Sequence, residues 1–166
     1  LDEMNFNLKK GEVHVLFGEN GAGKSTLISM LAGANKPTKG QIRYKGDTVA
    51  LDSVQEAREL GISAVFQEFS LIPQMTVAEN IFLGAEPTSR GLLRPKKQRI
   101  EAQKILDSLD FQLDPEARID HLTRAEQQMV EIAKAFRTQP SVLILDEPTA
   151  SLTNHETEQL FRLSAK

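Results

Sequence analysis

The most specific chemistry in the chain sits near its start, where Gly18-Glu19-Asn20-Gly21-Ala22-Gly23-Lys24-Ser25 fits the spacing G-x-x-x-x-G-K-[ST]. A loop of this kind wraps main-chain amides around the phosphates of a nucleotide. Glycine lets the backbone turn tightly beside anionic oxygens, and amide nests and helix N-termini favour negative charge. Lys24 then reaches the β- and γ-phosphates and the Ser25 hydroxyl ligates Mg2+, so Gly18 to Thr26 is the expected ATP-binding segment. A second site lies far along the chain, where Asp146-Glu147 follows the apolar run Val142-Leu143-Ile144-Leu145. Such a run reads as a central parallel strand, and open α/β sheets bind ligands at the C-terminal edges of their strands. There Asp146 is suited to hold Mg2+ and Glu147 to polarise water. An acidic turn after a core strand has the same sequence, and the glycine loop elsewhere in the chain is what favours the site.

These groups need a scaffold. Val13 to Phe17 is β-rich and precedes the loop, while Thr26 to Ala32 spaces apolar residues like a helix that stops near Gly33. Before them, Met4 to Leu8 alternates apolar residues, and Lys9 to Glu12 reads as the turn of a hairpin. Gln41 to Tyr44 and Thr48 to Leu51 flank Lys45-Gly46-Asp47 as a second hairpin, a small β layer beside the nucleotide core. Ser53 to Leu60 is an expected helix capped by Gly61, and Ile62 to Phe66 a buried strand. Beyond Gln67 the pattern turns helical. Thr76 to Leu83 opens on a capping box of Thr76 and Glu79, and Pro87 to Pro95 reads as an exposed loop. Lys96 to Leu109 is expected to turn Ile100, Ile105, Leu106 and Leu109 inward and Lys96, Lys97, Arg99 and Lys104 outward. Met129 to Phe136 has apolar residues at helical spacing, which reads as core packing.

Composition narrows the function without naming it. The 166 residues allow one domain with a real core, and the 40% hydrophobic and 26% charged fractions are those of an ordinary globular protein. A net charge of −3 gives no basic field for nucleic acid, and the basic cluster at Lys96 to Lys104 lacks interleaved aromatic residues. With no cysteine there is no disulfide framework or cysteine-ligated zinc. No apolar run approaches the roughly 20 residues of a membrane-spanning helix, so a membrane role would run through a partner.

Four ordered motifs together resemble the nucleotide-binding domain of ABC ATPases: Gly18 to Thr26, Gln67 after an apolar strand, Leu122 to Gln128 opening a helix, and Asp146-Glu147-Pro148-Thr149. The words around them are similar to the first domain of bacterial ribose, galactose and xylose importers, notably Gln127 to Ala135 and Glu147 to Thr153. The resemblance implies an α/β P-loop NTPase core of mainly parallel strands with an antiparallel β layer and an inserted helical subdomain. Residues 1–66 and 137–166 would form the core and 67–136 the helical part, with the fold cut short at both ends. It implies Glu147 as general base, Gln67 as a catalytic and Mg2+-touching Q-loop residue, Lys24 on the phosphates, and Ser25 and Asp146 on the metal. Ala150-Ser151-Leu152-Thr153 falls where the D-loop lies. Leu122-Thr123-Arg124-Ala125-Glu126-Gln127 stands where the family's L-S-G-G-Q caps the ATP of the opposite subunit. Arg124 and Ala125 replace both glycines, so crowding of the phosphate and added charge on it both stay open, as does a capping role for Thr123 and Glu126.

The implied partners are a second nucleotide-binding domain, a membrane permease and, through it, a sugar-binding protein, with no nucleic acid. The implied place is the cytoplasmic face of the bacterial inner membrane, as a peripheral Mg-dependent ATPase. A soluble non-transport ABC ATPase and a weakly hydrolysing regulatory domain are the alternatives. The family's adenine-stacking aromatic residue would lie upstream of Leu1 and its switch histidine beyond the chain, so the 166 residues alone are expected to hydrolyse little. His14, His121 and His155 are expected to be structural or surface residues.

Overall fold

The computed structural model describes residues 4–19 and 21–146. Helix α1 (Lys24–Leu31) follows the glycine loop and ends at Gly33, whose φ of 75° closes the helix. A Cβ at Gly33 would stand 2.3 Å from the Ser53 carbonyl oxygen, so the helix end packs backbone to backbone on the next element. Strands β1 (Ile42–Tyr44) and β2 (Asp47–Val49) pair antiparallel around Lys45 and Gly46, both at positive φ, the geometry of a two-residue hairpin turn. Ser53 caps α2 (Val54–Glu59) by accepting from the Glu56 amide.

Strand β3 (Ile62–Val65) runs parallel to β6 (Val142–Leu145), with Ile62 opposite Val142 and Val65 opposite Leu145. Between them in sequence lie α3 (Val77–Ile81), the short β4 (Thr88–Ser89) and β5 (Leu92–Leu93), α4 (Pro95–Ser108), a 3-10 turn at Ile119–His121 and α5 (Arg124–Phe136). Side chains of a strand alternate faces, so each side of the β3–β6 pair meets its own layer. Val65, Leu143 and Leu145 pack on the core of α3, α4 and α5, built around Ile81, Leu106, Val130 and Ile132. Ile62, Val142 and Ile144 pack on Leu51, Ala57 and the β1–β2 hairpin. The pair is thus the shared floor of two hydrophobic clusters, which explains the uninterrupted apolar sequence of β6.

Several expected elements change in detail. Val13 to Phe17 makes no ladder among the described residues, and Val13, Val15 and Phe17 are exposed. Alternation reports only the side-chain half of a strand; the other half is a neighbour offering backbone acceptors, and among the described residues none pairs with this segment. Met4 to Leu8 likewise has no strand partner there, although the turn between the two is present, with the Glu12 amide donating to the Lys9 carbonyl at 3.1 Å. Pro87 to Pro95 is exposed but holds the β4–β5 hairpin, turned by Arg90 and Gly91 at positive φ. On α4 the buried face is Gln98, Ala102 and Leu106, with Leu109 following, and Ile100 is exposed. Gln98 shares its helical phase with Ala102 and Leu109, and its amide donates to the Ala78 carbonyl at 3.3 Å, so a polar residue is part of the buried face while Ile100 is not. Arg99 pairs with Glu116 and Lys104 with Glu101, the pattern of a solvated helix face.

Candidate functional site

The glycine loop leads straight into α1. Gly23 is its N-cap at φ 90°, a backbone state that side chains resist, and its carbonyl accepts from the Leu27 amide at 3.0 Å. The Ala22 amide donates to the Glu19 carbonyl at 3.1 Å, closing the turn. Lys24 folds back over it, its Nζ donating to the carbonyls of Gly18 at 2.6 Å and Glu19 at 3.1 Å. An ammonium has three donors, so two hold the loop's shape. Ser25 and Thr26 lie exposed in the first turn of α1, beside amides that no helical carbonyl satisfies. Asn20 lies outside the described residues.

The second half of the site forms at the C-terminal edge of the parallel pair. The Asp146 amide donates to the Val65 carbonyl at 3.0 Å, extending the ladder one residue past β6. Asp146 therefore leaves the sheet beside the segment that leads through Phe66 into Gln67, and the two predicted metal-region residues share one edge. Among the described residues no ladder joins the loop-bearing segment to that edge. No cluster of three or more histidines, cysteines or carboxylates exists among them. Ser25 and Asp146 carry the hydroxyl and carboxylate oxygens that a hard cation such as Mg2+ takes, its other positions being filled by water and phosphate oxygens. Ser25 and Asp146 would hold it, supplying charge neutralisation of a transferred phosphoryl group. Glu147 and Ala150 to Thr153 lie outside the described residues, as does His155.

The Leu122 to Gln127 segment resolves into a capped helix start. Thr123 is the N-cap of α5, with its hydroxyl accepting from the Glu126 amide at 3.3 Å and the Glu126 carboxylate accepting from the Thr123 amide at 2.7 Å. Gln127 turns back, its amide donating to the carbonyls of Leu122 at 3.1 Å and Ile119 at 3.3 Å. Arg124 lies over the Phe69 ring, its guanidinium carbon 3.7 Å from the ring centroid. Further along α5, Glu131 is buried and its carboxylate accepts from both the amide and the hydroxyl of Ser70, the latter at 3.0 Å. Lys134 donates to the same hydroxyl at 2.9 Å. Burial pushes the Lys134 ammonium below the usual lysine range; Glu131 opposes this shift, and Arg58 and Arg137 reinforce it.

Sequence reasoning missed Phe69, Ser70, Glu131 and Lys134. The signal was a carboxylate inside the otherwise apolar Met129-Val130-Glu131-Ile132-Ala133 run, a position that burial makes costly without a partner. His14 stands 3.3 Å from Glu12 and edge-on to Phe6, and His121 lies 3.7 Å from Asp120; both are surface pairs.

The sequence profile described as ABC transporter matches residues 1–150. Ribose import ATP-binding proteins of Streptomyces avermitilis and Rubrobacter xylanophilus are 50% and 52% identical to the chain over 163 residues. An arabinose import ATP-binding protein of Yersinia pestis is 44% identical over 163 residues. Each match takes in 98% of this chain but 31%, 33% and 31% of the respective relative, so the chain spans about a third of their length. Among solved structures, a dimeric ATP-binding cassette in a post-hydrolysis state bound to ADP and Pi is similar, with a TM-score of 0.77 and 28% identity over 96% of this chain and 70% of that one. A second cassette, solved in its ADP conformation, gives a TM-score of 0.77 at 26% identity, covering 94% of this chain and 65% of its own. The architecture is that of a P-loop NTPase, a mixed α/β fold with a parallel sheet.

Proposed function

Since the chain belongs to the ABC transporter family, we propose that it supplies one half of an Mg·ATP hydrolysis site that powers a bacterial sugar importer. The observation that carries this reading is the shared sheet edge: Asp146 and the segment entering Gln67 emerge side by side from a parallel pair, in a chain that also holds a complete glycine loop. In this reading the loop from Gly18 to Thr26 binds the phosphates, with Lys24 moving its ammonium from the loop carbonyls to the β- and γ-phosphates. Ser25 and Asp146 hold Mg2+, Gln67 touches the metal or the attacking water, and Glu147 orients that water. Leu122 to Gln127 caps nucleotide held by a second nucleotide-binding domain, fused or dimeric.

Residues 67–136 form the part that faces the permease, which places the protein on the cytoplasmic side of the inner membrane. Among the described residues no helix is long and apolar enough to cross a membrane, so contact with the bilayer falls to that partner. The sugar assignment rests on the relatives, which are ribose and arabinose import ATP-binding proteins. One observation favours the weakly hydrolysing alternative: Arg124 and Ala125 stand at both glycine positions of the family signature.

The test uses the full-length protein assembled with its permease. Glu147→Gln is expected to lower ATP hydrolysis by about 100-fold or more while Mg·ATP binding persists, as for loss of a general base. Hydrolysis unchanged by that substitution overturns the assignment of the base. A parent complex that binds Mg·ATP and never hydrolyses it supports the regulatory reading instead.

A further inference from the structure

Helix α5 holds the Gln67 to Ser70 loop at two places. Its first residue, Arg124, covers the Phe69 ring with the guanidinium carbon 3.7 Å from the centroid. Two turns later Glu131 accepts from the Ser70 amide and hydroxyl, and one turn beyond that Lys134 donates to the hydroxyl at 2.9 Å. Ser70 is thus a hinge pin between a carboxylate and an ammonium, and its neighbour carries the stacking ring. The far end of the same segment is fixed independently. Asn80, fully buried on α3, accepts from the Ile72 amide at 2.7 Å and donates to the carbonyls of Ile72 at 3.1 Å and Thr76 at 3.0 Å.

A surface loop is ordinarily the softest part of a site. Here Gln67 lies between the end of β3 and a clasp of cation-on-ring and charge-assisted hydrogen bonds, both stronger than neutral contacts. The clasp begins at the second residue after Leu122, inside the segment that departs from the family's glycines. Crowding or charge at a phosphate does not exhaust what Arg124 can do, because its side chain is laid over Phe69.

We propose that Arg124 and Glu131 are positioning residues that tie the Gln67 loop to the start of α5, so that nucleotide contact at Leu122 to Gln127 sets the position of Gln67. The proposal rests on the reading of those two segments given above. Closure of a second domain on the α5 N-terminus would then move the amide toward or away from the metal region as one unit with the helix. A chain with glycine at 124 lacks the upper clasp, so the departure at this position strengthens coupling between the two segments. Arg124 acts on the Gln67 loop through the Phe69 ring.

The experiment is a double-mutant cycle in the full-length protein assembled with its permease, using Arg124→Lys, Phe69→Leu and the pair. Lysine keeps the charge and loses the planar stacking, and leucine keeps bulk and loses the π face. Each single variant is expected to lower kcat by about 3- to 10-fold with KM for ATP unchanged, and the pair to be no worse than either alone. A raised KM in Arg124→Lys alone, with Phe69→Leu silent, assigns Arg124 to phosphate and overturns the proposal. Independent, multiplying effects overturn it as well. Glu131→Gln, nearly isosteric, supplies a readout that needs no turnover: hydrogen exchange at the Ser70 amide is expected to accelerate about tenfold or more. Unchanged exchange removes the lower clasp. A parent complex without hydrolysis sinks the proposed function, and the exchange measurement still decides the clasp.

Discussion

Thr123→Ala separates the two roles open to the hydroxyl at the start of α5. The side chain is exposed and makes two bonds, accepting from the Glu126 amide at 3.3 Å and donating to the Glu126 carboxylate at 2.8 Å. The carboxylate also holds the Thr123 amide at 2.7 Å, and that bond survives the substitution. Loss of an N-cap hydroxyl costs about 1 kcal/mol, within a range of roughly 0.5–2. The long 3.3 Å bond and the surviving half of the box argue for the lower part of that range. Thr123→Ser keeps the cap and is expected to be neutral. Glu126→Ala removes the other half, together with a negative charge at the positive end of the helix, for about 0.5–1 kcal/mol. The two substitutions share the 2.8 Å bond, so together they should cost less than the sum of each alone. Urea unfolding followed by circular dichroism measures this, with a shift of about 2–4 °C per kcal/mol as a thermal check in a domain of this size. Equal midpoints for parent, Thr123→Ser and Thr123→Ala refute the capping argument. Hydrolysis falling much further in Thr123→Ala than in Glu126→Ala, at similar stability cost, assigns the hydroxyl a second role on nucleotide.

Three other predictions follow from the structure. Gly33→Ala should destabilise by about 2–4 kcal/mol, combining the left-handed penalty with a clash 2.3 Å from the Ser53 carbonyl. Gly84→Ala, at the same φ of 75° but with nothing within 4 Å, should cost only about 1–2 kcal/mol, and equal losses in denaturant unfolding would remove the packing argument. Lys24→Met in the full-length protein should weaken Mg·ATP by about 10- to 100-fold in a fluorescent-nucleotide titration. Folding stability should change by less than about 0.5 kcal/mol, because the carbonyls it leaves are reachable by water; unchanged affinity contradicts the phosphate role. Lys134 should titrate below the exposed lysines by NMR, rising in Arg58→Ala and falling further in Glu131→Gln. Its folded-state value is depressed, so between that value and the ordinary lysine range the unfolded chain binds more protons and stability rises with pH. A midpoint at the ordinary lysine value refutes the burial argument.

The parts of this fold that were legible in the sequence are those whose signal is local. The capping boxes at Thr76 and Thr123 are four-residue patterns whose bonds close within one turn, and both form. The apolar run from Val142 to Leu145 needed only burial on two faces to be read as a parallel strand, and it is one. Val13 to Phe17 carried an equally clear pattern, yet a strand requires a partner that no period in its own sequence encodes. Ile100 is expected inside on α4 because hydropathy ranks isoleucine as the inward residue, yet it is exposed and Gln98 is buried. The Ala78 carbonyl, twenty residues upstream, makes the amide the better occupant.

The candidate site divides along the same line. Loop and acid edge are short words whose expected chemistry is phosphate and metal binding; the structure puts the loop at the start of α1 and Asp146 at the end of β6. What connects them to the signature segment is written in pairs: Phe69 with Arg124 and Ser70 with Glu131, the latter 61 positions apart. A buried carboxylate without a partner costs several kcal/mol, so Glu131 in an apolar run implied some donor. Nothing along the chain said that the donor would be the loop carrying Gln67. Arg124 shows the limit most clearly, because a cation in a segment expected to meet a phosphate suggests a phosphate ligand by type alone. Its ring partner changes the inference from chemistry at the phosphate to mechanical coupling, and it is the contact, absent from any motif, that makes the difference.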